Sequence, residues 1–438
     1  MIQKSILIGA PFSGSGKTLI TLGLMRALSN LGIKIAPAKA GPDYIDVAYL
    51  SKASGKKAVN LDGFAFNNDE LRGLANRQAN NADLLLIEGV MGLFDGGFGA
   101  NKIVSGSTAD LAQKLNSSIV LIIDCSHMAQ SIAAMTYGYK NFSAEINVAG
   151  VILNKVASIK HEKMLRDALV PVGVEVLGAV YRNDELNIPN RHLGLTLPNE
   201  IDGTEILIEK AAKMVATSID LEKFIALAMP LEKQDYQPKL APLGQHITIA
   251  RDDAFVFIYQ HQLMGWRKMG AKISFFSPLN NEKPDVSADA IFLPGGYPEL
   301  HGEKIANADI FKVGMQEAQK RGALIYGECG GFMVLGERLI DQQGMSYEMS
   351  GLLPIVSSIN QPKRVLGYRH LSHNSPLPFA KNLSGHEFHY SSCSKTKLPT
   401  LFGAKDSSGQ NLAAMGAVLG NVMGSYAHVI SAAFGGQA

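Results

Sequence analysis

The chain has 438 residues, of which 46% are hydrophobic and 18% are charged, a composition typical of a globular protein with two or three domains. Its 41 basic and 39 acidic residues give a formal net charge of +2, which argues against a nucleic-acid or membrane-surface partner. No apolar run approaches the roughly 18 residues of a membrane-spanning helix. Three scattered cysteines match neither a disulfide framework nor metal-ligand spacing, so we expect a reducing, cytoplasmic location.

Apolar strands alternate with helical patterns between residues 1 and 195. The predicted strands are "SILIGA" (5–10), "KIAPAK" (34–39), "DLLLIEGV" (83–90), "SIVLIIDC" (118–125) and "VAGVILNK" (148–155), with helical patterns at 17–31, 107–115 and 129–142. Continuous Val, Ile and Leu runs bounded by Gly and polar residues are typical of parallel strands that are covered on both faces. The pattern predicts a doubly wound α/β domain.

A second α/β pattern follows a proline-rich linker. Helical stretches at 203–217 and 220–229 lead into a segment with three prolines, which ends near residue 245. The predicted elements after it are the strands "HITIARD", "KISFFSPL", "AIFLPGG" and "ALIYGE", the helices 254–269 and 307–321, and shorter strands beyond residue 345. We therefore predict a first domain at 1–195, a helical segment and linker at 196–245, and a second α/β domain at 246–438.

The stretch "GAPFSGSGKT" at 9–18 lies between a predicted strand and a predicted helix. Backbone N–H groups of such a loop converge on phosphate oxygens, and the helix N-terminus adds positive potential. Its lysine would reach the β- and γ-phosphates and its threonine would bind Mg²⁺. Pro11 stands where the strict motif has Gly, so the loop is a variant, and a plain glycine-rich turn is the alternative interpretation. The predicted ATP-binding residues are Ser13, Gly14, Ser15, Gly16, Lys17 and Thr18.

Acidic residues follow two predicted strands, where open α/β sheets bind their ligands. Glu88 and Asp95 belong to "LLLIEGVMGLFDGG", and Asp43 and Asp46 belong to "KAGPDYID", which we place on a loop. Phosphate chemistry needs a cation held by carboxylates, although each of these acids is also a candidate for capping a turn. Asn154, in "VILNK", is a candidate contact for adenine, with a structural capping role as the equal alternative.

Cys329 lies between glycines directly after a predicted buried strand, in "LIYGECGGF". This pattern predicts a nucleophile elbow, a sharp turn that exposes the side chain and is followed by a helix. We expect the helix N-terminus to lower the thiol pKa. The N–H of Gly330 and a second donor from "LPGGY", for which we select Gly296, would stabilise an oxyanion.

A cysteine nucleophile needs a general base, which typically lies far away in the sequence. His428, in "GSYAHVI", is our candidate, and His386 and His389 in "HEFHY" compete for the role. We interpret the "HEFHY" histidines as structural or interface residues. Cys125 and Cys393 are expected to be packing residues.

These motifs together resemble the cobyrinate and hydrogenobyrinate a,c-diamide synthase family along nearly the whole chain. The matching stretches are "GAPFSGSGKT", "KAGPDYID", "LLLIEGVMGLFDGG", "RHLGL", "LPGGYPEL", "YGECGGFMVLGE", "GYR", "GHEFHYS" and "VMGSYAHVI". The resemblance implies a P-loop NTPase-like, dethiobiotin-synthetase-like ATP domain followed by a class I glutamine amidotransferase-like domain. It implies ATP- and glutamine-dependent amidation of the a and c acetate groups of a tetrapyrrole acid in cobalamin biosynthesis.

The resemblance also implies roles for individual residues. Thr18, Asp46 and Glu88 fall on positions for Mg²⁺, and Asp43, Tyr44 and Asp46 on positions for substrate or amidation. Asp95 falls on a position for handling ammonia, Cys329 on the nucleophile and His428 on the base. Glutaminases usually carry a Glu two residues after the base, and position 430 here is Ile; the third role is therefore unassigned, and a slower glutaminase is implied.

Two alternatives to this function stay open from the sequence. One is the same amidation on nickel-sirohydrochlorin, and the other is a nucleotide switch with an inactive amidase-like domain. Within the resemblance, the second half is closer to versions that act on a metal-free macrocycle. We expect small-molecule partners and a homodimer, without nucleic acid or membrane.

Overall fold

A computed structural model describes residues 3–98, 101–183, 186, 198, 203–394 and 396–433. The "RHLGL" motif at 191–195 lies outside these residues. The chain divides into two compact units, Met1–Gln237 and Pro238–Ala438. Among the described residues, no helix is both long enough and apolar enough to cross a bilayer.

Unit 1 is built on one sheet of strands that are buried along most of their length. The strands are β1 (Lys4–Gly9), β2 (Ile35–Ala40), β3 (Val59–Leu61), β4 (Leu84–Glu88), β5 (Ser118–Asp124), β6 (Asn147–Val156), β7 (Glu175–Tyr181) and β8 (Met229–Pro230). Their order is β3-β2-β4-β1-β5-β6-β7, all parallel, and β8 pairs antiparallel with the start of β1. The C-terminal ends of β1, β2 and β4 therefore lie side by side, which brings the predicted phosphate loop and acidic residues to one edge.

Helices cover this sheet and complete its core. They are α1 (Lys17–Asn30), α2 (Ile45–Ser54), α3 (Asn68–Ala79), α4 (Thr108–Leu115), α5 (Ser131–Asn141), α6 (Ile159–Leu169), α7 (Thr204–Ser218) and α8 (Leu221–Ala226). A Cβ at Gly23 of α1 would lie 2.7 Å from the carbonyl oxygen of Ala211 in α7, so these helices pack very closely. The helices that we assigned to a separate segment at 196–245 thus pack into unit 1, and the chain divides at Gln237.

Unit 2 begins with a second parallel sheet. Its strands are β9 (His246–Ala250), β10 (Lys272–Phe276), β11 (Ala290–Leu293) and β12 (Leu324–Glu328), joined by helices α9 (Gln260–Lys268), α10 (Gly302–Ala306) and α11 (Asp309–Lys320) and followed by α12 (Gly330–Leu335). Two strands from the C-terminal region, β21 (Ala417–Leu419) and β22 (Val422–Ser425), complete the order β10-β9-β11-β12-β22-β21. Strand β21 is antiparallel to β22, and the other neighbours are parallel.

Two smaller sheets complete unit 2. Their strands, with those that join the first sheet, are β13 (Arg338–Ile340), β14 (Ser346–Glu348), β15 (Val356–Ser358), β16 (Val365–Ser372), β17 (Asn382–His389), β18 (Ser392–Cys393), β19 (Phe402–Asp406), β20 (Asn411–Met415), β21 (Ala417–Leu419), β22 (Val422–Ser425) and β23 (His428–Ala432). Strand β22 belongs to the parallel sheet and β23 to the sheet β20-β19-β16-β17-β23. The chain therefore changes sheets between Ser425 and His428.

The predicted fold class, two mostly parallel α/β domains, is confirmed, but two local predictions are wrong. The helix predicted at 254–269 begins only at Gln260, because the backbone of Phe257 pairs with Gly295. Asp46, which we placed on a loop, lies in the first turn of α2. Both differences bear on the sites described next.

Candidate active sites

The predicted phosphate loop in unit 1 has a backbone that only glycine adopts easily. Gly14 and Gly16 have φ values of 86° and 91°, and Gly16 caps the N-terminus of α1. The side-chain amide of Asn154 donates to the carbonyl oxygen of Ser15 at 2.8 Å. A Cβ on Gly16 would lie 2.3 Å from that amide nitrogen. Asn154, near the C-terminal end of β6, thus supports the loop backbone.

Four polar side chains converge where β2, β4, α1 and α2 meet. Thr18 Oγ1 donates to Glu88 Oε1 at 2.7 Å. Lys39 Nζ lies 3.1 Å from the same oxygen and 2.5 Å from Oδ2 of Asp46. Sequence reasoning missed Lys39, although its place in "KAGPDYID" at the end of a buried strand was a signal.

Burial and charge set the protonation of this cluster. Burial raises the pKa of Glu88 to about 7, against the opposing effect of the Lys39 ammonium. Burial alone would lower the pKa of Lys39, but the carboxylates of Asp46 and Glu88 outweigh it and raise that pKa. Lys39 therefore stays charged and links the two carboxyl groups.

The residues around Glu88 fit a magnesium ion. The second oxygen of Glu88, Oε2, is buried and has no hydrogen-bond partner among the described residues, and Thr18 lies against the first. No group of three His, Cys, Asp or Glu side chains able to hold a metal occurs in the part of the chain that the structure describes. At phosphates, Mg²⁺ is held by one or two protein ligands beside water and substrate oxygens.

The other predicted residues of unit 1 lie around the same edge. Lys17 Nζ donates to the carbonyl oxygen of Met91 at 2.6 Å, and burial, followed by the charge of Lys39, lowers the pKa of Lys17. Asp95 Oδ2 accepts from the backbone N–H of Gly92 at 3.0 Å. The lysine therefore lies against the loop that carries Asp95. On the α2 side, Asp43 Oδ1 accepts from two backbone N–H groups of the first turn, and Tyr44 occupies the position before that helix.

Cys329 in unit 2 occupies a strained elbow. It has φ 48° and ψ −109° between the end of β12 and the start of α12, a conformation that costs energy for a side chain with a Cβ. Its N–H donates to the carbonyl oxygen of Ser425 in β22 at 2.8 Å. A Cβ on Gly331 would lie 1.9 Å from the carbonyl oxygen of Leu293, so this glycine is required by close packing of the turn on β11.

His428 and Cys329 both lie close to Gly295 in space. A Cβ on Gly295 would lie 2.5 Å from Cε1 of His428 and 3.3 Å from Cβ of Cys329. His428 is 1% exposed, and burial lowers its pKa well below the ordinary value. The imidazole is therefore neutral, which is the protonation state in which a histidine can act as a general base.

The predicted lowering of the thiol pKa is wrong. The N–H of Gly330 donates to the sulfur and lowers the pKa of Cys329, but burial and the neighbouring carboxyl groups, Glu299 first among them, raise it overall. The helix that follows has only six residues. The resting group is therefore a protonated thiol, which needs a base to become a nucleophile.

The predicted oxyanion residues are neighbours. The backbone nitrogen of Gly296 lies 3.0 Å from the position of a Cβ on Gly330. The loop that carries Gly296 is held on both sides, since Phe257 N–H donates to the oxygen of Gly295 at 3.0 Å and Tyr297 N–H donates to that of Ala254 at 3.1 Å. The segment expected to be helical at 254–259 thus supports this loop.

The competing histidines lie on β17 beside the base. His386 pairs in register with His428, with ring centroids 5.0 Å apart, and burial lowers its pKa to about 3. His389 lies 3.3 Å from Glu387 Oε1 and stacks on Tyr426. These contacts tie the strand to the turn that precedes His428. The other two cysteines have pKa values raised by burial, to about 12 for Cys125 and about 11 for Cys393.

Two family models match the chain, one in each unit. Residues 6–195 match the CobQ/CobB/MinD/ParA nucleotide binding domain, and residues 246–435 match the CobB/CobQ-like glutamine amidotransferase domain. The solved structure of PurLQS from Thermotoga maritima is 20% identical over 42% of this chain and 86% of that chain, with a TM-score of 0.31.

Curated relatives match the whole chain. The hydrogenobyrinate a,c-diamide synthase of Brucella abortus biovar 1 (strain 9-941) is 46% identical over 100% of both chains. That of Rhizobium meliloti (strain 1021) is 46% identical over 98% of this chain and 99% of its own. That of Rhodobacter capsulatus is 42% identical over 98% of this chain and 99% of its own. Identity at this level over the full length shows that the chain belongs to the hydrogenobyrinate a,c-diamide synthase family.

Proposed function

We propose that this chain amidates the a and c acetate carboxylates of hydrogenobyrinic acid, with ATP as the activating agent and glutamine as the nitrogen source. The observation that carries the proposal is the pairing, within one chain, of a phosphate loop beside Glu88 and a strained Cys329 beside His428. Relatives that are 46% identical over 98–100% of this chain bear the name of that activity.

The reaction in unit 1 activates a carboxylate, which is a poor electrophile by itself. A carboxylate oxygen of the macrocycle forms a bond to the γ-phosphorus of ATP, and the bond to the bridging oxygen of ADP breaks. An acyl phosphate results. Lys17 and the backbone N–H groups of the loop offset the charge on the transferring group. Thr18 and Glu88 would hold Mg²⁺, which supplies further charge compensation when bound.

The remaining polar residues of unit 1 position the acetate and receive ammonia. Lys39 lies between Asp46 and Glu88, so it places a fixed positive charge beside the reacting carboxylate. Asp43, Tyr44 and Asp46 lie on or before the first turn of α2 and are proposed to orient the substrate. Asp95, held by the N–H of Gly92, is proposed to accept a proton from the incoming ammonia.

Unit 2 releases the nitrogen. His428 takes the thiol proton of Cys329, and the thiolate attacks the side-chain amide carbon of glutamine. The N–H groups of Gly296 and Gly330 stabilise the resulting oxyanion. The carbon–nitrogen bond then breaks as His428 returns the proton to the departing ammonia, and water hydrolyses the thioester to glutamate. At the acyl phosphate, ammonia forms the amide and displaces phosphate.

The test is an assay of the purified chain with MgATP, glutamine and one macrocycle at a time. Hydrogenobyrinic acid, cobyrinic acid and nickel-sirohydrochlorin are compared, and the product is followed by mass spectrometry. We expect two successive replacements of –OH by –NH₂ on hydrogenobyrinic acid, each with one ATP hydrolysed. Amidation of nickel-sirohydrochlorin alone would transfer the proposal to that substrate, and ATP consumption with no amide on any macrocycle would reject it.

A further inference from the structure

Glu328, the last residue of β12, makes two kinds of contact with the strand that carries the base. It is 1% exposed. Its Oε1 accepts from the phenol of Tyr326 at 3.0 Å and from the backbone N–H of Val429 at 3.1 Å. Its Oε2 lies 3.8 Å from Nδ1 of His428. Oε1 therefore accepts hydrogen bonds, one of them from β23, while Oε2 lies on the side of the His428 imidazole.

We propose that Glu328 is the positioning residue of the glutaminase site, holding His428 in the orientation that accepts the Cys329 proton and stabilising the imidazolium that forms. This role was left without a residue because position 430 is Ile. The inference rests on the proposed function, since it concerns how glutamine is cleaved. It places the acidic partner directly before the nucleophile in sequence instead of after the base.

The carboxyl group fits this role because the alternatives around His428 are differently engaged. From β17, the titratable groups facing it are the imidazoles of His386 and His389, neither of which supplies negative charge. Glu387 is 2.5 Å from the guanidinium of Arg369. From β12 and the elbow that follows it, the neighbouring groups are Glu328 and the Cys329 thiol. Among the described residues, Glu328 is the carboxyl group that the structure brings within 4 Å of the imidazole.

Proton transfer in this step needs no group beyond Cys329, His428 and the departing ammonia. When the thiol proton moves to Nε2 of His428, the ring becomes a cation whose Nδ1 side faces the Glu328 carboxylate, and the proton later leaves with ammonia. Because burial raises the pKa of Glu328 to about 8, the ionised form becomes more populated as the pH rises towards that value. Glutamine-dependent turnover should therefore increase with pH through this range.

The substitution Glu328→Gln separates this role from a structural one. Glutamine keeps an oxygen that accepts from Tyr326 and Val429, so the strand contact survives while the charge is lost. We expect kcat of glutamine-dependent amidation to fall on the order of 100-fold or more, as when the acid of a comparable triad is neutralised. The KM for glutamine and the ammonia-dependent turnover should change little, and the rise of activity towards pH 8 should disappear. Glu337→Gln, an exposed position in the same unit, is the matched control.

Two further variants guard against a folding artefact. Tyr326→Phe removes one donor to Glu328 but leaves the carboxylate, so its loss of turnover should be much smaller than that of Glu328→Gln. Glu328→Asp keeps the charge and should retain part of the activity and the pH dependence. Equal losses in Gln and Asp variants, or wild-type kcat and pH profile in Glu328→Gln, would overturn the proposal. Wild-type protein with no amidation from glutamine or ammonia would instead reject the proposed function.

Discussion

Thr18, in the first turn of α1, donates from its hydroxyl to Glu88 at the end of β4, 2.7 Å away. This contact joins the phosphate loop to the acidic edge of the sheet. The other oxygen of Glu88 is buried without a hydrogen-bond partner among the described residues, so the carboxyl group keeps one oxygen that could coordinate a cation. The pair is therefore our candidate link between the phosphate loop and the proposed cation site in unit 1.

Neutralising Glu88 should increase the Mg²⁺ concentration that the ATP-dependent reaction needs. In Glu88→Gln we expect the concentration of Mg²⁺ for half-maximal ATP-dependent activity to rise and kcat to fall on the order of 100-fold, because a charged ligand to the cation is lost. A magnesium titration of initial rates measures both. Glu232→Gln, an exposed residue of the same unit, should match wild type. An unchanged magnesium dependence in Glu88→Gln would contradict this assignment.

Replacing Asn154 distinguishes support of the loop from recognition of adenine. Its amide contacts the Ser15 carbonyl oxygen, so Asn154→Ala removes a buried hydrogen bond worth about 1 kcal/mol. We expect KM to rise several-fold, and by the same factor for ATP and GTP, when both nucleotides are assayed as phosphoryl donors. A rise for ATP with GTP unaffected would show that Asn154 reads the base.

Adding a methyl group at Gly295 should abolish glutamine cleavage but leave ammonia-dependent amidation intact. In Gly295→Ala the new Cβ would lie 2.5 Å from the His428 ring, which must then move, and displacements near 1 Å cost on the order of 100-fold in rate. Parallel rates with glutamine and with ammonium salts test this, and ammonia-dependent amidation should persist. Gly138→Ala is the control, since nothing lies within 4 Å of its added carbon. Normal glutamine-dependent turnover in Gly295→Ala would show that the position of His428 does not matter for glutamine cleavage.

The buried His261 should make unit 2 sensitive to acid. Burial lowers its pKa from 6.5 to about 4, while Nε2 lies 2.9 Å from the Ile430 carbonyl oxygen. Below pH 6.5 the unfolded chain binds a proton that the native state does not, so stability falls as the pH drops from 6.5 to 4. The contribution approaches about 3 kcal/mol. His261→Gln should lose this part of the decline.

Urea unfolding of wild type and His261→Gln at several pH values measures this contribution. The comparison uses the difference between the two proteins, because the buried His386 and His428 add to the acid sensitivity of both. A constant difference from pH 7 to pH 4 would mean that His261 does not supply it.

Local patterns in the sequence were sufficient for the phosphate loop and the elbow. Gly14, Gly16 and the glycines after Cys329 each lie between a buried strand and the helix that follows it. This spacing is enough to predict a strand–turn–helix geometry. The parallel order of the strands then brings Glu88 to the loop, since the C-terminal ends of parallel strands share an edge. These relationships depend on residues close in sequence or on a general property of the fold.

Other features depend on register and burial, which short patterns do not encode. Glu328 lies near His428 because of two long-range contacts. Strand β12 pairs with β22, which places Glu328 opposite Ser425, and the N–H of Val429 in β23 donates to the Glu328 carboxyl group. The wrong expectation for the thiol pKa has a similar origin: desolvation by the surrounding core outweighs a six-residue helix. Likewise, the false helix at 254–259 is replaced by pairing with the distant Gly295.

The most direct test of the account is Cys329→Ala assayed with hydrogenobyrinic acid, MgATP and either glutamine or ammonium chloride. The account predicts that amide formation from glutamine disappears while formation from ammonia continues near the wild-type rate, because unit 1 activates the carboxylate by itself. Continued amidation from glutamine, or the loss of both reactions in a variant that unfolds like wild type, would contradict the separate roles of Cys329 and the phosphate loop.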